Sequence, residues 1–205
     1  MTQDTRESHW NRIFDETEST RLGWFEEDTS PTWAMLDQIG DLGDATVLLP
    51  GAGTSQLAQE MESRGARLIL NDISGSALDR LRNVLLGTHR WLNQDIAQPL
   101  PDDIVDVDLW ADRAVLHFLT EQAAIKAYFD NVRRVVRSGG HVLLAEFARD
   151  GATRCAGLPV YRWDVDEMGS RFGPTFRLVD YRHHTYYNPN GDPRPYVYGL
   201  FQRAT

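Results

Sequence analysis

Two glycines one residue apart, Gly51 and Gly53, close the run VLLPGAGTS at residues 47–55. An apolar run before them and a helical pattern after them put this turn at the carboxyl end of a strand. There a glycine lets the backbone approach a ligand closely. Asp72 follows 21 residues after Gly51. A carboxylate about 20 residues beyond a glycine-rich turn is placed to accept hydrogen bonds from ribose hydroxyls. Gln56, not a third glycine, stands three residues after Gly53, which argues against a pyrophosphate-containing dinucleotide. Asp95 closes WLNQD, and Asp112 and Arg113 close DLWADR. Asp72 or Asp95 alone reads as a strand-end cap, but together with the loop they read as a site. Asp112 and Arg113 fit a binding or catalytic role, or a structural pair with each other or with Glu146, about equally well. His117 lies in an apolar stretch and reads first as a packed residue. His183 and His184 are neighbours on a strand, so one at most can face a site. Cys155 is the single cysteine. It permits no internal disulfide, completes no metal-ligand cluster and reads as a small buried apolar side chain.

Positioning these residues requires strands that alternate with helices. ATVLLP, ARLILND, HRWLNQD, VDVDLWAD and GGHVLLAEF read as five strands. TWAMLDQIG behind Pro31, TSQLAQEMESRG, SGSALDRLRNVLL and TEQAAIKAYFDNVRRVV read as helices around them. After a looser segment, FRLVDYRHHTYY and YVYGLFQR have only the turn NPNGDPRP between them and should pair antiparallel. The expectation is an α/β fold: a Rossmann-like, mostly parallel seven-stranded sheet with helices on both faces and a C-terminal antiparallel hairpin. The 205 residues form a single domain in this reading, with a helical segment at 1–40 and the core at 41–205. Trp10, Phe14, Trp24 and Phe25 in an acidic stretch suggest that residues 1–30 act as a lid over the site.

Composition narrows the partners. Charged residues make up 25% and apolar residues 41%, as in a folded globular chain. The net charge of −9 has the wrong sign for tracking a phosphate backbone, so nucleic acid is not expected as a partner. No apolar stretch is long enough to span a bilayer, and MTQDTRESHW has no apolar signal core. A cytoplasmic protein, monomeric or homodimeric and away from membranes, is the expectation.

Several motifs agree in order with a known family. VLLPGAGTS, LILNDIS, WLNQDIAQPLP, LWADRAVLHFL, RSGGHVLLAEFA and the last two strands together resemble the class I S-adenosylmethionine (SAM)-dependent methyltransferases over nearly the whole chain. Within them the sequence is most similar to small bacterial enzymes with DRAVxHFL and CxGLPVxRW/Y motifs, to which the citrate synthase-lysine methyltransferase looks related. The resemblance implies SAM as cofactor and S-adenosylhomocysteine (SAH) as product. It implies that Gly51 and Gly53 pass under the methionine part. Asp72 holds the ribose, Ile73 and Ile96 pack on the adenine, and Asp95 accepts from its amino group. Asp112 and Arg113 line the mouth of the transfer site, with His117 a further catalytic candidate. Cys155, Tyr161, Trp163 and Tyr186 shape the acceptor side, and Arg113 is expected to grip an acceptor carboxylate. The sequence departs from the family at Leu49, where an acid usually stands, and at Ser55, where a third glycine usually stands. Thiopurine methyltransferase-like enzymes share the Pro-Gly start of the loop. A small polar acceptor is expected. The alternatives are a protein lysine or a non-catalytic SAM-binding regulatory domain, and a dinucleotide oxidoreductase is disfavoured by the glycine spacing.

Overall fold

The computed structural model describes residues 3–205. Gln3–Glu16 (α1) and Ser30–Leu36 (α2) precede the sheet. Five parallel strands follow: Thr46–Leu49 (β1), Arg67–Asp72 (β2), Arg90–Asn93 (β3), Val107–Arg113 (β4) and Val136–Phe147 (β5). Between them run Gln56–Ser63 (α3), Gly75–Arg82 (α4) and Gln122–Val135 (α5). A short ribbon, Arg154–Cys155 (β6) with Leu158–Pro159 (β7), and Val165–Phe172 (α6) come next. Phe176–Tyr187 (β8) and Pro193–Arg203 (β9) end the chain as an antiparallel hairpin. The seven-stranded order is β3-β2-β1-β4-β5-β9-β8, with β9 antiparallel to both its neighbours.

The central strands β1, β2, β4 and β5 are largely buried on both faces because alternate side chains feed two cores. In β1, Val47 and Leu49 join Met35, Leu36, Leu57 and Met61 from α2 and α3 on one face. Leu48 turns to the other, where Phe129 and Val132 of α5 and Met168 and Phe172 of α6 pack. Phe14 of α1 and Leu22 form a separate small cluster with Ala77 of α4.

Two local features differ from the sequence reading. The looser segment contains α6, opened by Asp164, whose carboxylate accepts from the Glu167 N–H at 2.8 Å. Asp164 and Glu167 have the spacing of a capping box, but the helix is too short to establish a periodicity. The terminal turn is also tighter than NPNGDPRP. Asn188 Oδ1 accepts from the Asn190 and Asp192 N–H groups at 3.0 and 2.8 Å, which lets pairing begin at Pro193. Among the described residues, no helix is long and apolar enough to cross a membrane.

Candidate functional site

After β1 the chain winds outward through β2 and β3, then crosses back to β4 on the opposite side of β1. The crevice at the carboxyl ends of β1 and β4 is therefore the switch point at which such sheets bind ligands. A cleft lies there, lined among others by Gly51, Gly53, Asp72, Ile73, Asp95, Ile96 and Arg113. A second shares Gly51, Gly53, Trp24 and Arg113 with the first and reaches Leu49, Ser55 and Glu26.

The loop is shaped by its glycines. Gly51 has φ +51°, and a Cβ there would stand 2.3 Å from Val115 Cγ2. Gly53 has φ +54°, but its nearest neighbour to a Cβ, Phe14, would be 3.5 Å away. Gly51→Ala therefore combines backbone strain with a collision against the cleft wall, and should cost about 1–3 kcal/mol of stability. Gly53→Ala carries the backbone strain alone and should cost less. Thermal unfolding of the two variants checks that order. Ser55, at the position where the resemblance implies a third glycine, caps α3 by accepting from the Leu57 N–H at 3.1 Å.

Asp72 ties the loop to β2. Its carboxylate accepts from the Gly53 N–H at 2.9 Å and the Ser74 N–H at 2.8 Å. Burial raises its pKa to about 6, against the lowering effect of the backbone donors at Ser74 and Gly53. Each oxygen retains a lone pair for another donor. Asn93 braces the same corner, donating to the carbonyls of Asp72 and Ile73 at 3.1 and 2.9 Å. Asp95 accepts from the Ala97 N–H at 2.9 Å and meets Arg6 Nη2 at 2.6 Å.

Arg6 belongs to α1, which forms a cleft wall with the segment after it. Trp10 meets Phe118 and Trp24 edge-on, at centroid distances of 4.8 and 5.5 Å. Asn11 accepts from Ser74 Oγ at 2.7 Å, and His9 Nε2 lies 3.0 Å from the Ala156 carbonyl in the β6–β7 turn. Farther on, Arg113 Nε stands 2.8 Å from Glu26 Oε2, and its Nη1 donates to the Trp24 carbonyl at 3.1 Å. The guanidinium also lies over the rings of Tyr186 and Tyr196, 5.2 and 5.3 Å from their centroids. The sequence reading found the aromatic residues of this wall but not Arg6, Asn11 or Glu26. Their only signal was polarity within an acidic stretch.

Asp112, expected at the mouth of the site, lies beneath its wall, fully buried, and so does His117, the further catalytic candidate that also reads as a packed residue. Asp112 accepts from the Val115 and Leu116 N–H groups at 3.1 and 3.2 Å and from the Tyr128 hydroxyl at 2.5 Å. Glu146 accepts from the Leu116 and His117 N–H groups at 3.2 and 3.1 Å. His117 Nδ1 stands 2.7 Å from Glu146 Oε2 but lacks hydrogen-bond alignment, and neither ring nitrogen has a partner among the described residues. We take the contact as packing rather than an ion pair, because burial drives the His117 pKa down to about 3, leaving the ring neutral. Burial and the neighbouring Glu146 carboxyl push Asp112 well up, and burial takes Glu146 to about 8. The cluster fixes Val115–Leu119, which lines the cleft, and holds Ala114 at φ +69°.

The expected acceptor residues separate. Leu158 of CAGLPVYRW reaches the first cleft. Cys155 is half-buried against the core, and burial raises its thiol to about 11, which leaves little nucleophilic thiolate. The Tyr161 hydroxyl donates to Glu167 at 2.7 Å, and Trp163 is fully buried on the α5–α6 side. Neither lines the two clefts. The Tyr186 hydroxyl donates to the Phe25 carbonyl, and its ring lines a shallow outer groove with His184 and Tyr187.

Comparison with known proteins fits this geometry. Residues 48–144 match the family model described as a methyltransferase domain. No curated protein matches the sequence. A SAM-dependent methyltransferase from Anabaena variabilis has a similar fold, with a TM-score of 0.80 at 14% identity over 98% of this chain and 94% of that one. A protein from work on the conversion of a disulfide bond into a thioacetal group during echinomycin biosynthesis gives a TM-score of 0.75 at 18% identity, over 97% and 93% of the two chains. The 1,6-didemethyltoxoflavin-N1-methyltransferase of Burkholderia thailandensis, solved with 1,6-didemethyltoxoflavin and SAH, gives 0.68 at 16% identity over 98% and 85%. The matched stretch runs from β1 into β5, and both clefts open at its strand ends, so this part of the chain is similar to a methyltransferase domain and the whole chain shares the fold of these enzymes.

Proposed function

We infer that the protein is a SAM-dependent methyltransferase acting on a small molecule. The carrying observation is that all six residues expected to touch the cofactor line one cleft at the switch point. The site fits SAM chemically. A loop bare of side chains at Gly51 and Gly53 runs beside Asp72, and buried polar atoms without an aligned hydrogen bond remain at Glu26 and Arg113. When bound, SAM supplies a methyl group made electrophilic by the adjacent sulfonium. The chain then has to hold an acceptor in line with it, exclude water and leave the acceptor's lone pair free.

The character of the walls supports the acceptor class. Trp10, Trp24 and Phe118 cover the first cleft from the N-terminal and β4 sides, which suits a compact molecule better than a peptide needing an open groove. In this reading the N-terminal segment is a lid whose ties are Arg6–Asp95 and Arg113–Glu26. The carboxylates of the first cleft, Asp72 and Asp95, already hold backbone donors, and His117 is sealed away from it. That supports an acceptor whose attacking atom carries an available lone pair at neutral pH, such as a thiolate or an amine of low basicity.

SAH release, followed against panels of thiols, amines and small acids alongside a lysine-containing protein, tests the proposal. Turnover with at least one small-molecule class, and none above background with the protein, is expected. Turnover confined to the protein would move the acceptor to lysine. Tight SAH binding with no turnover on any panel would favour a SAM-sensing role.

A further inference from the structure

The strand end that would present an acid beside the glycine loop presents Leu49 instead, buried and apolar. An ammonium bound there needs a carboxylate from another part of the chain, because an unpaired buried charge is strongly unfavourable. Glu26 is brought to that place by the segment after α1. It lines the second cleft beside Leu49, Gly51 and Arg113. The Glu26 and Arg113 side chains are 9% and 11% exposed.

Their contact is incomplete. Arg113 Nε lies 2.8 Å from Glu26 Oε2 but is not aligned with it as a hydrogen-bond donor. Glu26 Oε1 and Arg113 Nη2 are buried and make no aligned hydrogen bond among the described residues, although the Tyr198 hydroxyl lies close to the guanidinium. Buried polar atoms are nearly always satisfied, so an idle acceptor and an idle donor of opposite charge side by side point to an absent ligand. The group that matches both is the head of an α-amino acid, whose ammonium donates and whose carboxylate accepts.

The geometry points to Glu26 and Arg113 as a receptor for an α-amino-acid head, Glu26 taking the ammonium in place of the missing acid at Leu49 and Arg113 taking the carboxylate. This rests on the SAM reading above and assigns the head to the cofactor. The two clefts meet over Gly51 and Gly53. A nucleoside placed at Asp72 and Asp95 can therefore extend its tail across the bare glycine backbone to Glu26. Arg113 would then act on the cofactor rather than on an acceptor carboxylate.

Calorimetric titration of the full chain with SAH, 5′-methylthioadenosine and the SAH analogues lacking only the ammonium or only the carboxylate tests this. The wild type should prefer SAH to methylthioadenosine by about tenfold or more and lose affinity for both analogues. Glu26→Gln should lose most of the preference for SAH while binding methylthioadenosine as before. It should also no longer distinguish SAH from the analogue without an ammonium. Arg113→Lys should likewise lose discrimination against the analogue without a carboxylate. The ligand series in the unaltered protein is informative even if a variant fails to fold. Equal wild-type affinity for all four ligands would overturn the proposal, as would Glu26→Gln binding SAH as tightly as wild type. If the latter variant instead showed a raised KM for an amino-acid acceptor, the head would belong to the acceptor. If neither SAH nor methylthioadenosine bound the wild type, the SAM reading itself would fall.

Discussion

Asp72→Ala should weaken SAH binding by about tenfold or more, the loss expected when charge-assisted hydrogen bonds worth roughly 1.5–3 kcal/mol are removed. The same change leaves the buried N–H groups of Gly53 and Ser74 without their acceptor, so stability should fall too. Asp72→Asn keeps the shape but offers one acceptor oxygen and no charge, and should fall between the two. The raised pKa adds a pH signature. Between 3.8 and about 6 the folded protein holds a proton on Asp72 that the unfolded chain has released. The contribution of this group to stability is thus fully present below 3.8 and is lost as pH rises through about 6. Ribose hydroxyls are held best by the charged carboxylate, so ligand affinity should run the other way, falling as pH drops below about 6. Calorimetry with SAH at pH 5 and pH 7.5 measures the difference. A wild-type affinity that is flat across this range, or an Asp72→Ala protein that binds normally, would falsify the ribose assignment.

Glu146→Ala should destabilise the fold by about 1–3 kcal/mol or more, because it opens a buried polar network and leaves the His117 N–H without its acceptor. Leu116 N–H and His117 N–H lose an acceptor, and the Val115–Leu119 wall loses half its support. SAH affinity should therefore fall with stability, although Glu146 lines neither cleft. Glu146→Gln retains an acceptor and should cost less.

The pH dependence of this cluster follows from its shifts. Burial raises Glu146 from 4.5 to about 8, and Asp112 is raised by burial and by Glu146. The folded state thus holds protons that the unfolded chain has lost; the contribution of Glu146 is fully present below 4.5 and lost as pH rises through about 8, and that of Asp112 declines in the same direction. His117, lowered by burial from 6.5 to about 3, acts in the opposite sense. Its contribution is fully present above 6.5 and lost as pH falls through about 3. Between pH 6.5 and 8 the carboxyls alone remain, so wild-type stability in urea should decline there. Glu146→Gln should flatten that decline, and an unchanged slope in the variant would show that Glu146 does not carry the proton.

The sheet, and the residues on one side of the cleft, are legible in the chain's local patterns. Continuous apolar runs such as those of β1 and β2 specify strands buried on both faces, and the Pro/Gly-rich turn before Pro195 allows only a hairpin between β8 and β9. Gly51, Gly53, Asp72 and Asp95 were legible because each sits at a strand end, where local chain geometry alone dictates which way it faces. The tertiary structure decided what long-range packing controls. Glu26 and Arg6 sit in a polar acidic stretch, where no periodicity shows that one will meet Arg113, 87 residues on, and the other Asp95. Asp112 reads like its neighbour Arg113, yet alternation on β4 points them to opposite faces. Asp112 therefore enters a closed network with Tyr128 and Glu146, while Arg113 enters the cleft. Trp163 reads as an acceptor-site aromatic from its motif, but backbone pairing of its N–H with the Phe147 carbonyl at 2.8 Å draws it into the core. Local sequence sets the conformation of a strand end. Which side chain from a distant segment arrives there is set by the packing of the whole chain.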